Sequence, residues 1–162
     1  MALISIQSVI ETIATRLRSQ LTDPISGRGT KTKKWIYDDL TRVDLSSYPR
    51  MTITPGPESA ERRGVGDHGT KDTYRIVIEV ITTKEMKITG GAYDGLRSEQ
   101  VIHKLAEDVL NVIRTSHDST WVPAGILSII PETNNTTYPK PGTGEEFVIK
   151  RLTLRAKVSN TA

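Results

Sequence analysis

The chain contains no cysteine. That removes disulfides, thiolate chemistry and cysteine-ligated zinc together, and it fits a reducing compartment or a particle built inside a cell. Aromatic residues make up only 5%, with a single phenylalanine, so the core must be built from aliphatic side chains. No excess of one charge stands out: 22 basic residues face 19 acidic ones, a net charge of +3. This balance does not by itself point to nucleic acid. Long hydrophobic runs are missing too. The stretch 1–13 is interrupted by Gln7, Ser8, Glu11 and Thr12, so it reads neither as a signal peptide nor as a membrane span, which needs roughly 20 apolar residues. The expectation is a soluble protein without a membrane partner. Hydrophobic residues at 36% and charged residues at 25% suit a folded domain, and 162 residues suit one domain spanning 1–162.

What is present is a pattern that occurs twice: an amphipathic helix, then two strands separated by a loop rich in Gly, Pro and charge. Ile6, Ile10, Ile13 and Leu17 recur at helical spacing, with Val9 and Ala14 widening the stripe. Ser5 is placed to cap that helix, and Asp23-Pro24 to stop it. Trp35-Ile36-Tyr37 is a possible short strand. Tyr48 to Thr54 alternates and reads as a strand that begins at proline. Tyr74 to Thr83 carries apolar residues on both faces, the mark of a central strand. A second helix follows, with Val101, Leu105, Val109 and Val112 as its stripe and Ser98 as its cap. Trp121 to Ile130 reads as a strand, Pro131 to Glu146 as a loop, and Phe147 to Val158 as the last strand. In that strand Leu152, Leu154, Ala156 and Val158 share one side, while Arg151, Thr153, Arg155 and Lys157 share the other. The predicted fold is α+β: two helices packed on one face of a mainly antiparallel sheet, in the order α-β-β-α-β-β, with long projecting loops.

Residue chemistry gives no catalytic constellation. His68, His103 and His117 stand alone, without the spacing of a metal motif; His117 falls where it can complement the negative end of the second helix. Gly27-Arg28-Gly29-Thr30-Lys31-Thr32 follows a helix and lacks the Gly-Lys step of a phosphate loop. No G-x-S-x-G elbow is present. The expectation is therefore a chain that is not an enzyme, with no catalytic residues, no metal and no cofactor. Two basic features remain. Arg28, Lys31, Lys33 and Lys34 cluster beside Trp35 and Tyr37, and Arg62-Arg63 lies in another loop. Such loops can stay solvated, can lie near nucleic acid, or can dock on a partner with Trp35 and Tyr37 as anchors. Loops of this length usually carry a functional contact.

The whole pattern resembles the tail terminator (tail-completion) proteins of long-tailed phages and related tailed viruses. The resemblance lies in element order: a helix, a strand begun by Tyr48-Pro49-Arg50-Met51-Thr52-Ile53, a long loop, the strand Tyr74 to Thr83, a helix and a closing hairpin. It implies a virion protein of the tail-neck region, assembled in the host cytoplasm. It further implies a hexameric homo-oligomeric ring that caps the tail tube protein and joins it to the head connector and neck proteins, while DNA passes without sequence readout. On this reading Trp35, Tyr37, Arg62, Arg63, Arg151, Arg155 and Lys157 serve subunit or partner contacts, and Arg28, Lys31, Lys33 and Lys34 lie near DNA. The cationic strand face and the acidic residues Glu58, Glu61, Glu145 and Glu146 would then be the two unlike patches of a ring interface. The alternatives are another neck or head-completion protein, or a nucleic-acid-binding module without sequence specificity.

Overall fold

Helix α1 spans Ile6–Gln20 and buries Val9, Ile10, Ile13, Ala14 and Leu17, the stripe that its spacing predicts. Ser5 caps it: the Ser8 N–H donates to Ser5 Oγ at 3.1 Å. The helix stops at Gln20, and the carboxylate of Asp23 then accepts from the Ile25 N–H at 2.9 Å, a local turn that competes with a further helical turn. The computed structural model describes residues 4–25, 35–39, 48–56, 73–139, 142, 144 and 146–159.

Strand β1, Ile36–Tyr37, runs parallel to β2, Arg50–Pro55, with Ile36 opposite Met51 and Tyr37 opposite Thr52. Arg18 of α1 fastens β1 in place. Its Nη2 donates to the Ile36 carbonyl at 3.0 Å and to Asp38 Oδ1 at 3.2 Å. Strand β3, Thr73–Thr83, alternates buried and half-buried residues along its length. It lies inside the sheet, between β2 and β5, as apolar residues on both of its faces suggested.

Helix α2, Ser98–Thr115, buries Val101, Ile102, Leu105, Ala106, Val109, Val112 and Ile113. Ser98 does not cap it. It is the first helical residue, and its hydroxyl is committed to the preceding loop, donating to the Thr83 carbonyl and accepting from the Met86 N–H at 2.9 Å. Instead, Gln100 reaches back to the Arg97 N–H at 3.0 Å.

After α2 the chain makes one π-helical turn, His117–Trp121. This corrects the reading of Trp121 as the start of a strand. The wider turn swings the indole inward, where it is 1% exposed and Nε1 donates to the Ile113 carbonyl at 2.9 Å. Gly125, at φ 81°, turns the chain out of this segment, and a Cβ there would meet Ile4 Cδ1 at 2.3 Å.

Strand β4, Ile126–Thr137, runs through Pro131, where a loop is predicted. Proline is tolerated because β4 is the edge of the sheet, so its missing N–H removes no ladder bond on the outer side. Register shifts lie between Ile126 and Ser128 and between Pro131 and Thr133. Strand β5, Phe147–Val158, pairs antiparallel with both β3 and β4.

The result is an α+β fold with a mixed five-stranded sheet in the order β1-β2-β3-β5-β4. The strand beyond the predicted order is β1, which lies within the possible short strand Trp35-Ile36-Tyr37, and the β1–β2 pair is parallel. One core cluster joins the stripes of α1 and α2 to Met51, Ile53, Ile76, Ile78, Val80, Leu152, Leu154 and Ala156.

At the rim of this core Tyr93 donates its hydroxyl to Asp108 Oδ2. Burial, reinforced by that bond and the nearby carboxylate, pushes the phenol well above its ordinary value of 10.0. The folded state therefore keeps a proton that the unfolded state releases above about pH 10, so this contribution is complete below that pH and declines as pH rises. Alkaline titration of stability should show a downward slope beginning near there, and Tyr93→Phe should remove it. An unchanged slope in Tyr93→Phe would assign alkaline loss to other groups.

Candidate functional site

The alternation of β3 and β5 divides the sheet cleanly. Even-numbered residues of both strands enter the core, and odd-numbered ones form the outer face. Strand register sets the neighbours there: Thr73 faces Lys157, Arg75 faces Arg155, Val77 faces Thr153 and Glu79 faces Arg151. Arg151, Arg155 and Lys157 are exposed on this face, where the sequence puts them.

Two of these cations already have partners within the chain. Glu132 of β4 takes Arg75 Nε at 3.0 Å and Arg155 Nε at 3.6 Å. Arg151 Nη2 lies 3.5 Å from Glu79 Oε1. Such exposed pairs stabilise a fold by only about 0.2–1 kcal/mol, so they orient the guanidinium groups more than they hold the sheet. Lys157 has no ion-pair partner among the described residues. The face is therefore a patterned mosaic of paired charge with half-buried Val77, Ile81 and Ile149 between, less uniformly cationic than the β5 pattern suggests.

Trp35 and Tyr37, expected as partner anchors in a basic loop, are buried in this chain at 5% and 7% exposure. Trp35 also receives the Met51 N–H on its carbonyl at 2.7 Å. Trp35 belongs to the core cluster, while Tyr37, opposite Thr52, lies beside the cleft along β2, and at these exposures neither ring offers much surface to a partner. Arg28, Lys31, Lys33, Lys34, Arg62, Arg63 and His68 lie outside the described residues, as do Glu58, Glu61 and Glu145.

Two constellations were not read from sequence. At one end of the sheet Phe147, 40% exposed, packs against Tyr48 with ring centroids 5.2 Å apart, and the Arg50 guanidinium sits 4.7 Å above the Tyr48 ring. Across the hairpin, Lys150 Nζ lies 3.1 Å from His103 Nδ1. His103 Nε2 is 3.6 Å from Glu99 Oε1, which accepts from the Tyr138 hydroxyl at 2.8 Å. That bond is the main reason the Tyr138 phenol is raised above its ordinary value. Helical spacing of Glu99 and His103 was visible in the sequence, but the two partners that complete the row come from β5 and from the residue just after β4.

Beside β2 an open cleft of about 970 Å³ is lined by Glu11, Arg18, Asp38, Asp39, Thr54 and Glu79, among others. Among the described residues no group of three or more His, Cys, Asp or Glu is arranged to hold a metal ion, and no helix is long and apolar enough to cross a membrane.

Fold and surface together define an α+β domain with one sheet face patterned by charge. No family model matches the chain, and no curated protein is found to be similar to it.

Proposed function

We propose that the chain is a structural subunit of a ring in the neck of a long-tailed phage or related virus. The subunit is a tail terminator, which caps the tail tube, joins it to the head connector and lets DNA pass without sequence readout. The observation that carries this reading is the outer sheet face, where Arg75, Arg151, Arg155 and Lys157 stand among half-buried apolar residues. Charged side chains interleaved with apolar ones in this way suit contact with another protein. The element order supports it as well, since β2 follows Tyr48-Pro49 and the closing β4–β5 hairpin is the last feature of the described chain. In this reading both helices cover the opposite face of the sheet, the chain catalyses no reaction, and it acts in the virion.

Light scattering on the purified chain should count six subunits, and a monomer at every accessible concentration would overturn the ring. Arg155→Glu sharpens the test. It sets a carboxylate beside Glu132 and reverses the charge presented to a neighbour, a change that costs several kcal/mol at an interface. The expected result is a ring that dissociates at concentrations where the unmodified chain stays assembled. DNA affinity should change little, with a salt slope altered by about one at most. An intact oligomer with DNA binding abolished would favour the nucleic-acid module.

A further inference from the structure

The sheet has two edges, and they are unlike. On one side β4 presents 12 residues whose outward backbone groups have no partner among the described residues. Natural edge strands are commonly guarded by charge, above all by lysine. Here the only charged residue of β4 is Glu132, and its carboxylate is taken by Arg75 and Arg155. Pro131 and the adjacent register shift interrupt the strand, but beyond them Thr133-Asn134-Asn135-Thr136-Thr137 is uncharged and open. Leu127 and Ile130, 46% and 45% exposed, add apolar surface to the same strand.

On the other side β1 pairs with only Met51 and Thr52 of β2. Among the described residues Ile53 to Pro55 of β2 have no strand partner on that side, and they border the open cleft, where Glu11, Asp38, Asp39 and Glu79 outnumber Arg18, which pairs with Asp38. The β4 side is flanked instead by Arg151, Arg155 and Lys157 of β5, of which Arg151 pairs with Glu79 and Arg155 shares Glu132 with Arg75, so the excess there is basic. One edge is long with a basic flank, and the other is short with an acidic one.

We infer that β4 is a strand-addition site for a second copy of this chain, which offers Ile53 to Pro55 of its β2 and the acidic cleft beside them. The sheet then continues from one subunit into the next. Joining one edge to a different edge is a heterologous contact, the kind that closes into a ring when the rotation between copies divides a full turn and otherwise runs on as a filament. It also sets basic against acidic flanks, whereas two β4 strands side by side would bring like charges together. This inference rests on the ring reading and names the surface that closes it.

The absence of cysteine makes a cross-linking test direct. Thr54→Cys is made in one preparation and, in separate ones, Thr133→Cys, Asn135→Cys or Thr137→Cys, three residues paired with outer-face positions of β5. Opposed residues on adjacent strands have Cβ atoms about 4.5–5.5 Å apart, close to disulfide reach. Under mild oxidation a covalent dimer should form when Thr54→Cys is mixed with at least one of the β4 variants, and not in any single preparation. Dimers from a β4 variant alone would show β4 meeting β4 and overturn the inference. An oligomer seen by light scattering with no mixed cross-link would overturn it while leaving the ring, and a monomer throughout would overturn both. Asn134→Lys, opposite Leu152, provides a second measure: a folded chain with unchanged thermal midpoint and reduced assembly is expected, and undiminished assembly would exclude the β4 edge.

Discussion

Leu105→Ala is expected to lower stability by about 2–5 kcal/mol, read as a shift in the denaturant midpoint with the slope unchanged. Leu105 is fully buried at the centre of the α2 stripe, and the cluster around it draws on both helices and on all five sheet strands. Truncation leaves a cavity whose walls belong to elements that cannot all move inward, so the loss should exceed the transfer free energy of the removed atoms. A loss within about 0.5 kcal/mol, the range of surface substitutions, would mean that α2 does not cover the sheet.

Arg18→Ala should have the second largest effect, a destabilisation of about 2–3 kcal/mol. The Arg18 side chain is 7% exposed, and it neutralises Asp38 while satisfying the Ile36 carbonyl. Removing it strands a half-buried carboxylate and a strand carbonyl together, and Asp38 at 18% exposure recovers only part of its hydration. The loss should be local as well as global. Hydrogen exchange at the Met51 amide, which is bonded to the Trp35 carbonyl, should speed up more than exchange at β3 amides. Arg18→Lys should recover only a fraction, because an ammonium cannot fork between the carbonyl and the carboxylate. Uniform exchange changes across β2 and β3 would show that β1 is held by packing alone.

The elements that could be read from sequence are those whose periodicity is enforced by a single buried face. The α1 stripe, the α2 stripe and the alternation of β3 and β5 all show in residue order, because each strand or helix meets the core along its whole length. β4 was legible only as far as Ile130. Beyond it the strand is an edge exposed on both sides, so Thr133-Asn134-Asn135-Thr136-Thr137 carries no hydrophobic alternation and looks like a polar loop. What makes it a strand is the ladder to β5, a non-local partner. Trp121 misled for a related reason. Its size and its neighbours suit a strand, and only the carbonyl of Ile113 shows that it closes a helical segment.

The candidate surface divides the same way. The cationic side of β5 follows from alternation within one strand, so Arg151, Arg155 and Lys157 were visible. Their partners were not, since Glu79 lies 72 residues from Arg151 in sequence and Glu132 belonged to the stretch read as a loop. Trp35 and Tyr37 illustrate the converse. An aromatic beside a basic run is compatible with an exposed anchor or with a buried residue, and both prove buried, Trp35 within the core cluster and Tyr37 beside the cleft.

The placement of β5 has a mechanical consequence. The strand lies between β3 and β4, and its bonds to β3 run from Phe147 to Lys157 without a register shift. Interstrand hydrogen bonds stand perpendicular to the strands, so a pull along the β5 axis loads many rungs at once in shear, on both sides of the strand. A pull across the sheet at β4 would peel rungs one at a time. The same protein should therefore resist tension along its closing strand far better than tension normal to it, which single-molecule extension from two attachment geometries would reveal as unequal rupture forces.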